Sequence, residues 1–158
     1  MTASSPERYA QPGWFTRNVF NRLVALATRA GVSVWGSRVL EVRGRTSGEW
    51  RATPVNLLTI DGTRYLVAPR GVTQWVRNLR VAGNGRLRLG RRIERFTATE
   101  IPDDEKVEIL RAYLRRWKAE VGVFFSGVSA TSTDEEIRAI APNHPVFVVT
   151  PTTTLSAT

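Results

Sequence analysis

Residues 43–54 read Arg-Gly-Arg-Thr-Ser-Gly-Glu-Trp-Arg-Ala-Thr-Pro, setting three arginines (Arg43, Arg45, Arg51), two hydroxyls (Thr46, Ser47) and two glycines (Gly44, Gly48) between apolar stretches. Guanidinium forks supply bidentate positive charge, hydroxyls add neutral donors, and glycines let backbone N–H groups turn toward one point. That combination suits a phosphate or a polycarboxylate. The spacing belongs neither to a Walker loop nor to a dinucleotide fold, because no Gly-Lys-Ser/Thr and no three-glycine pattern follows. An ordinary hairpin turn with its arginines facing water stays open as the alternative. A second group, Gln74-Trp75-Val76-Arg77-Asn78-Leu79, places Trp75 and Asn78 three apart, so on a helix both project from one face.

Other chemistries are closed off by composition. The 158 residues include no cysteine and a single histidine, His144, which removes thiolate nucleophiles, disulfides and zinc clusters and argues against a serine triad. No metal site is expected, and His144, just before Pro145, reads as a loop or strand-edge residue without a catalytic role. No run of about 18 apolar residues is present, nor a basic-then-apolar leader, so a cytoplasmic protein is expected. The net charge is +9. It is unevenly placed, +12 over residues 1–99 and −3 over 100–158, which points to an anionic ligand or surface docking on the first two-thirds.

The elements that must position these groups follow from periodicity. Residues 1–13 read as a flexible arm. Residues 14–30 form an amphipathic helix whose Phe15, Val19, Leu23 and Leu26 pack on the core or, alternatively, rest on the inner face of a membrane. Strand periods then run over 39–42, 51–60 and 64–68, with Asp61-Gly62 as a hairpin turn. A short helix fits 74–82, two further strands 87–89 and 94–98, helices 103–121 and 133–141, and a last strand 145–149. The reading is one domain over 14–150 and a mobile tail over 151–158. Its class is α+β, mainly β: a split barrel of about six strands with N-terminal and C-terminal helices packed around it.

Taken together, Gly-x-x-Ser-Gly-x-x-Arg-x-x-Pro at 44–54, Asp-Gly at 61–62 and Trp-x-x-Asn at 75–78 resemble the deazaflavin (coenzyme F420)-dependent nitroreductase family, small split-barrel oxidoreductases related to the flavin-mononucleotide-binding barrels. The resemblance spans about 38–101, with a helix and strand match to 150. It implies that Arg45, Thr46, Ser47 and Arg51 hold the phosphate of F420, with Pro54 and Val55 against the ring or its linker. It further places Val67, Ala68, Pro69 and Arg70, and then Gln74, Trp75 and Asn78, beside the cofactor. The family usually has lysine where this chain has Thr46, and Arg45 next door compensates. F420 is preferred over flavin mononucleotide on these motifs.

The implied activity is hydride transfer from reduced F420 to an electron-poor, apolar acceptor such as a quinone, enone or nitroaromatic, the cofactor carrying the chemistry. Trp14, Phe15, Tyr113, Trp117, Phe124 and Phe125 are the candidate walls of the acceptor site, with Tyr113 or water as proton donor. The partner is then a small apolar molecule, with oligomeric state left open. A non-redox split barrel holding a fatty acid or other lipid is the alternative. Nucleic-acid binding, suggested by Arg86-Leu87-Arg88 and Gly90-Arg91-Arg92, is not expected, since no recognition motif accompanies these arginines.

Overall fold

The computed structural model describes residues 37–89 and 91–152. The arm expected at 1–13, the helix expected at 14–30 with Trp14 and Phe15, and residues 153–158 of the expected tail lie outside them. Six strands, β1 (Ser37–Arg43), β2 (Trp50–Ile60), β3 (Thr63–Val67), β4 (Asn84–Leu89), β5 (Arg92–Glu100) and β6 (Val146–Pro151), form a closed barrel. Its order is β1-β2-β3-β6-β5-β4, with every neighbouring pair antiparallel. Helix α1 (Gln74–Ala82) lies between β3 and β4, and α2 (Val107–Val121) and α3 (Asp134–Ile140) between β5 and β6.

The two-residue period of the strands sorts the apolar side chains into two cores. Leu40, Val42, Leu57, Leu66, Leu87, Phe96, Phe147 and Val149 fill the barrel, and Val76 and Leu79 of α1 join them. Leu58, Val67 and Val146 instead meet Leu110, Leu114, Trp117 and Ile137 of α2 and α3. Adjacent residues therefore bury on opposite faces of the sheet at Leu57–Leu58 of β2, Leu66–Val67 of β3 and Val146–Phe147 of β6, which explains the short apolar runs at those points. The turn between β2 and β3 has Asp61 and Gly62 both at positive φ (49° and 83°), as a tight two-residue hairpin requires. Gly83 ends α1 at φ 71°, its N–H bonded to the Leu79 carbonyl at 2.8 Å. Gly85 permits β4 to approach β1, since a Cβ there would sit 2.8 Å from the Glu41 carbonyl oxygen.

Three local expectations are corrected. The helix expected over 103–121 is a 3-10 turn at Asp103–Glu105 followed by α2. Lys106 between them is 2% exposed, its amine on the Ala141 carbonyl (2.9 Å) and the Asp103 carboxylate (2.7 Å). This inward lysine sits at the break between the two elements, just before the apolar stripe that periodicity reads from Val107. Second, β4 starts directly after the Gly83 cap, because Asn84 and Gly85 pair with Thr97 and Phe96. Third, β6 continues through Pro151, and the Thr152 N–H bonds the Arg95 carbonyl, so these residues belong to the barrel rather than to a tail.

The basic strand β4 also has a structural explanation. Glu41 on β1 is 2% exposed and is answered by Arg86 (2.8 Å) and Arg88 (3.4 Å). A buried carboxylate needs such partners.

Candidate active site

A cavity of about 870 Å³ opens between the loop after β1, the middle of β2, the end of β3, the start of α1 and the α2 residues Tyr113 and Val121. Its size falls within the range of about 300–1,000 Å³ typical of small-molecule sites. Of the residues expected to hold a cofactor, Arg45, Thr46, Ser47, Arg51, Pro54, Val55, Val67, Pro69, Arg70, Gln74, Trp75 and Asn78 all line it. Ala68 does not reach the wall; it is 1% exposed and belongs to the barrel interior.

The loop is shaped by its own backbone and by α1. The Gly44 N–H bonds the Glu49 carbonyl (2.8 Å), the Gly48 N–H bonds the Gly44 carbonyl (2.9 Å), and Gly48 supplies the positive φ of 74° that the turn needs. A Cβ on Gly44 would stand 2.8 Å from Ser47 Oγ, so only glycine lets that hydroxyl fold inward. Ser47 Oγ accepts from the Glu49 N–H at 3.1 Å. From outside, Arg43 donates to the Gly48 carbonyl at 2.9 Å and lies 4.3 Å over the Trp50 ring, with Arg86 3.8 Å from the same centroid.

Asn78 lines the cavity and also braces the loop. It is 4% exposed, and its Oδ1 accepts from both the Arg45 backbone N–H (3.0 Å) and Arg45 Nη1 (2.8 Å). Gln74 Oε1 accepts from the same Nη1 at 2.9 Å. Two residues one helical turn apart thus hold the loop against α1. The pairing also leaves charge in place, since both acceptors are neutral amides. Other arginines face carboxylates: Arg64 meets Glu94, Arg111 meets Asp134, and Arg80 is bidentate on Glu100 (2.8 and 2.7 Å). Arg45, Arg51 and Arg70 line the cavity, and no carboxylate does among the described residues.

This donor set fits an anionic, partly apolar cofactor. Thr73, missed by sequence reasoning because it precedes the Trp-x-x-Asn motif, adds to it. Its Oγ1 is buried without a hydrogen-bond partner at the N-terminus of α1, within the cavity wall, and no acidic side chain occupies the first turn. Helix N-termini favour negative charge. Pro54, Val55, Val67, Trp75 and Val121 provide apolar surface to the same cavity.

The aromatics expected to wall the acceptor site separate in the structure. Tyr113, 2% exposed, lines the cavity. Trp117 lies in the core with its ring centroid 5.0 Å from that of Tyr113 and tilted 52° to it, Phe125 is fully buried, and Phe124 is 40% exposed with Arg70 5.5 Å from its ring. None of these three lines the cavity; the chain leaves helical geometry at Trp117 (φ −122°, ψ 28°) and then turns through Gly122–Phe125.

His144 lies behind the end of β3, 4% exposed. Burial pushes its imidazole below the ordinary 6.5; hydrogen bonding to the Ala68 and Pro69 backbone opposes this, and the nearby Lys106 charge adds to the lowering. The unfolded chain therefore takes up this proton at a higher pH than the folded protein. The stability involved is complete above about pH 6.5 and declines as the pH falls below it toward the folded value. The urea midpoint should drop between about pH 7 and about pH 5.5, and His144→Asn should flatten that slope; a slope that survives the substitution assigns the effect elsewhere. Glu94, lowered chiefly by its hydrogen bond from Arg64, acts in a separate window, losing its contribution only as the pH falls below 4.5.

Residues 15–138 match the family model described as F420H(2)-dependent quinone reductase. No curated protein matches the chain. An F420-H2 dependent reductase (FDR-A) is similar in structure with a TM-score of 0.53 and 17% identity, over 72% of this chain and 93% of its own. A protein described as a domain-swapped dimer gives 0.52 and 18%, over 87% and 98%. General Stress Protein 26 from Bacillus anthracis str. Sterne gives 0.50 and 13%, over 74% and 80%. These likenesses establish the split-barrel fold. With most of its length matched, the chain belongs to the F420H(2)-dependent quinone reductase family, oxidoreductases whose cofactor is reduced F420.

Proposed function

We propose that this protein binds reduced F420 in the 870 Å³ cavity and reduces a small, electron-poor, apolar acceptor of the quinone type there. The observation that carries this reading is the state of Arg45: its hydrogen bonds run to the neutral oxygens of Gln74 and Asn78, so its charge faces a cavity that Thr46, Ser47 and Arg51 also line. Such an arrangement prepares an anion site before the anion arrives, which lowers the ordering cost of binding.

In this reading Arg45, Thr46, Ser47 and Arg51 grip the phosphate. The Thr73 hydroxyl and the N-terminus of α1 offer donors to ring or linker oxygens, and Pro54, Val55, Val67, Pro69 and Trp75 flank the ring. When bound, the reduced deazaflavin supplies a hydride. The remaining work belongs to the protein: holding an acceptor against the ring at reacting distance and keeping bulk water from the space between them. Tyr113 and Val121 line the side left for the acceptor. Tyr113 is the one phenol among the residues lining the cavity and is the proposed proton donor, since a phenol releases its proton more readily than an aliphatic hydroxyl. Tyr113→Phe should lower kcat about tenfold, less than usual for a lost general acid because a single water beside the acceptor can take over the proton delivery, while cofactor affinity stays unchanged. An unaltered kcat would remove Tyr113 from proton delivery.

The direct test is a fluorescence titration of F420, oxidised and reduced, with the purified protein at low and high salt. Saturable binding that weakens with salt is expected, followed by quinone-dependent oxidation of the reduced form. Absence of binding in both redox forms, with acyl chains copurifying, would favour a lipid-binding barrel. Among the described residues no helix is long and apolar enough to cross a membrane.

A further inference from the structure

His144 is the one histidine, lies outside the cavity wall, and takes no part in the proposed chemistry. Its contacts nevertheless join both sides of the site. Nδ1 is 3.2 Å from the Ala68 carbonyl oxygen. A carbonyl only accepts, so Nδ1 carries the proton and donates it. The next residue completes the hold, because the Ala68 N–H bonds the Pro145 carbonyl at 2.9 Å. Both backbone polar groups of Ala68 are thus fixed by consecutive residues, where β3 leaves the barrel. Ala68 is flanked by Val67, Pro69 and Arg70, which line the cavity. The approach is close, since a Cβ on Gly71 would come within 3.3 Å of the Asn143 carbonyl oxygen.

The face of the imidazole does something else. It stacks on Phe125 with ring centroids 4.0 Å apart and planes 18° from parallel. Phe125 in turn meets Tyr113 at 6.3 Å, and Tyr113 lines the opposite wall together with Val121.

We propose that His144 is a positioning residue that fixes the two walls of the cavity relative to one another, its Nδ1–H holding the end of β3 through Ala68 and its ring face holding Tyr113 through Phe125. It touches neither cofactor nor acceptor. The two links are separable by substitution. His144→Phe keeps a stacking ring and removes the donor, whereas His144→Asn keeps an N–H donor near the same place and removes the ring.

The inference rests on the proposed cofactor reading for its binding readout only. Its first test needs no cofactor: nitrogen-15 NMR of the protein alone should report the Nδ1–H tautomer, and amide exchange at Ala68–Gly71 should quicken in His144→Phe but not in His144→Asn. The opposite tautomer, or equal exchange in the two variants, overturns the proposal. In the second test, His144→Phe should raise the Kd for F420 about tenfold, the equivalent of one lost hydrogen bond that orders the wall. His144→Asn should instead raise KM for the quinone with F420 affinity kept. If both variants change both constants in proportion to their loss of thermal stability, His144 is merely structural. Failure of the wild-type protein to bind F420 would sink the cofactor reading and leave the exchange and tautomer results to judge His144.

Discussion

Arg51→Ala is expected to weaken F420 binding by about 1.5–3 kcal/mol, the range for a hydrogen bond to a charged group, which is a roughly 10- to 150-fold rise in Kd. The register of β2 against β1, with Arg51 opposite Val42, sets this side chain at the cavity beside Ser47, whose Oγ is 3.5 Å from Arg51 Nη2. Backbone pairing fixes the strand whatever side chain is there, so the variant should fold with nearly the same melting temperature. Its binding should also respond less steeply to salt, because one phosphate-directed charge is gone. Arg80→Ala is the matched control. Arg80 is also cationic but is committed to Glu100 on the surface, and its removal should change Kd less than twofold. Equal losses in the two variants would mean that only general positive charge matters, and an unchanged Kd in Arg51→Ala would remove that residue from the site.

The contrast between Arg51 and Arg80 marks where sequence reasoning succeeds and where it stops. The barrel was legible because strand periodicity, the Asp61-Gly62 turn and the Gly83 cap are local signals, each with a local physical cause. That Gly44, Arg45, Thr46, Ser47 and Arg51 gather at one cavity was legible for a similar reason, since residues 44–51 are contiguous. Partner choice was not legible. Nothing local tells that Arg86 and Arg88 answer a buried Glu41 some 45 residues away, or that Lys106 points inward to the Ala141 carbonyl. The separation of the aromatics of 113–125 was not legible, because whether a ring meets the cavity (Tyr113), the core (Trp117, Phe125) or solvent (Phe124) depends on how α2 and the turn after it pack against the barrel. Thr73 was invisible for another reason. Its importance lies in an unused hydrogen-bonding capacity, which exists only once the helix start and the cavity are in place.

Asn78 offers the sharper experiment, because its two conservative replacements should part company. In Asn78→Ala the backbone N–H of Arg45 loses its acceptor and the guanidinium keeps only Gln74. F420 affinity should fall by about 2–3 kcal/mol, since the loop must then be ordered by the ligand, while unfolding free energy falls by only about 1–1.5 kcal/mol, the net worth of the lost bonds. In Asn78→Asp both bonds to Arg45 survive and one becomes an ion pair, so the loop stays in place and stability is kept. The carboxylate, however, offsets the Arg45 charge that the neutral amide leaves available. Binding of the anionic cofactor should therefore weaken in Asn78→Asp despite an intact loop, with a shallower salt dependence than in the wild-type protein. If Asn78→Asp binds F420 as tightly as wild type, Arg45 serves as a strut and the anion is held by Arg51 and the hydroxyls. A large loss of thermal stability in Asn78→Ala with unaltered affinity would show instead that the asparagine supports the barrel and leaves the site indifferent. The amide at position 78 would thus be selected for two properties at once, the reach to hold Arg45 and the neutrality to leave it charged.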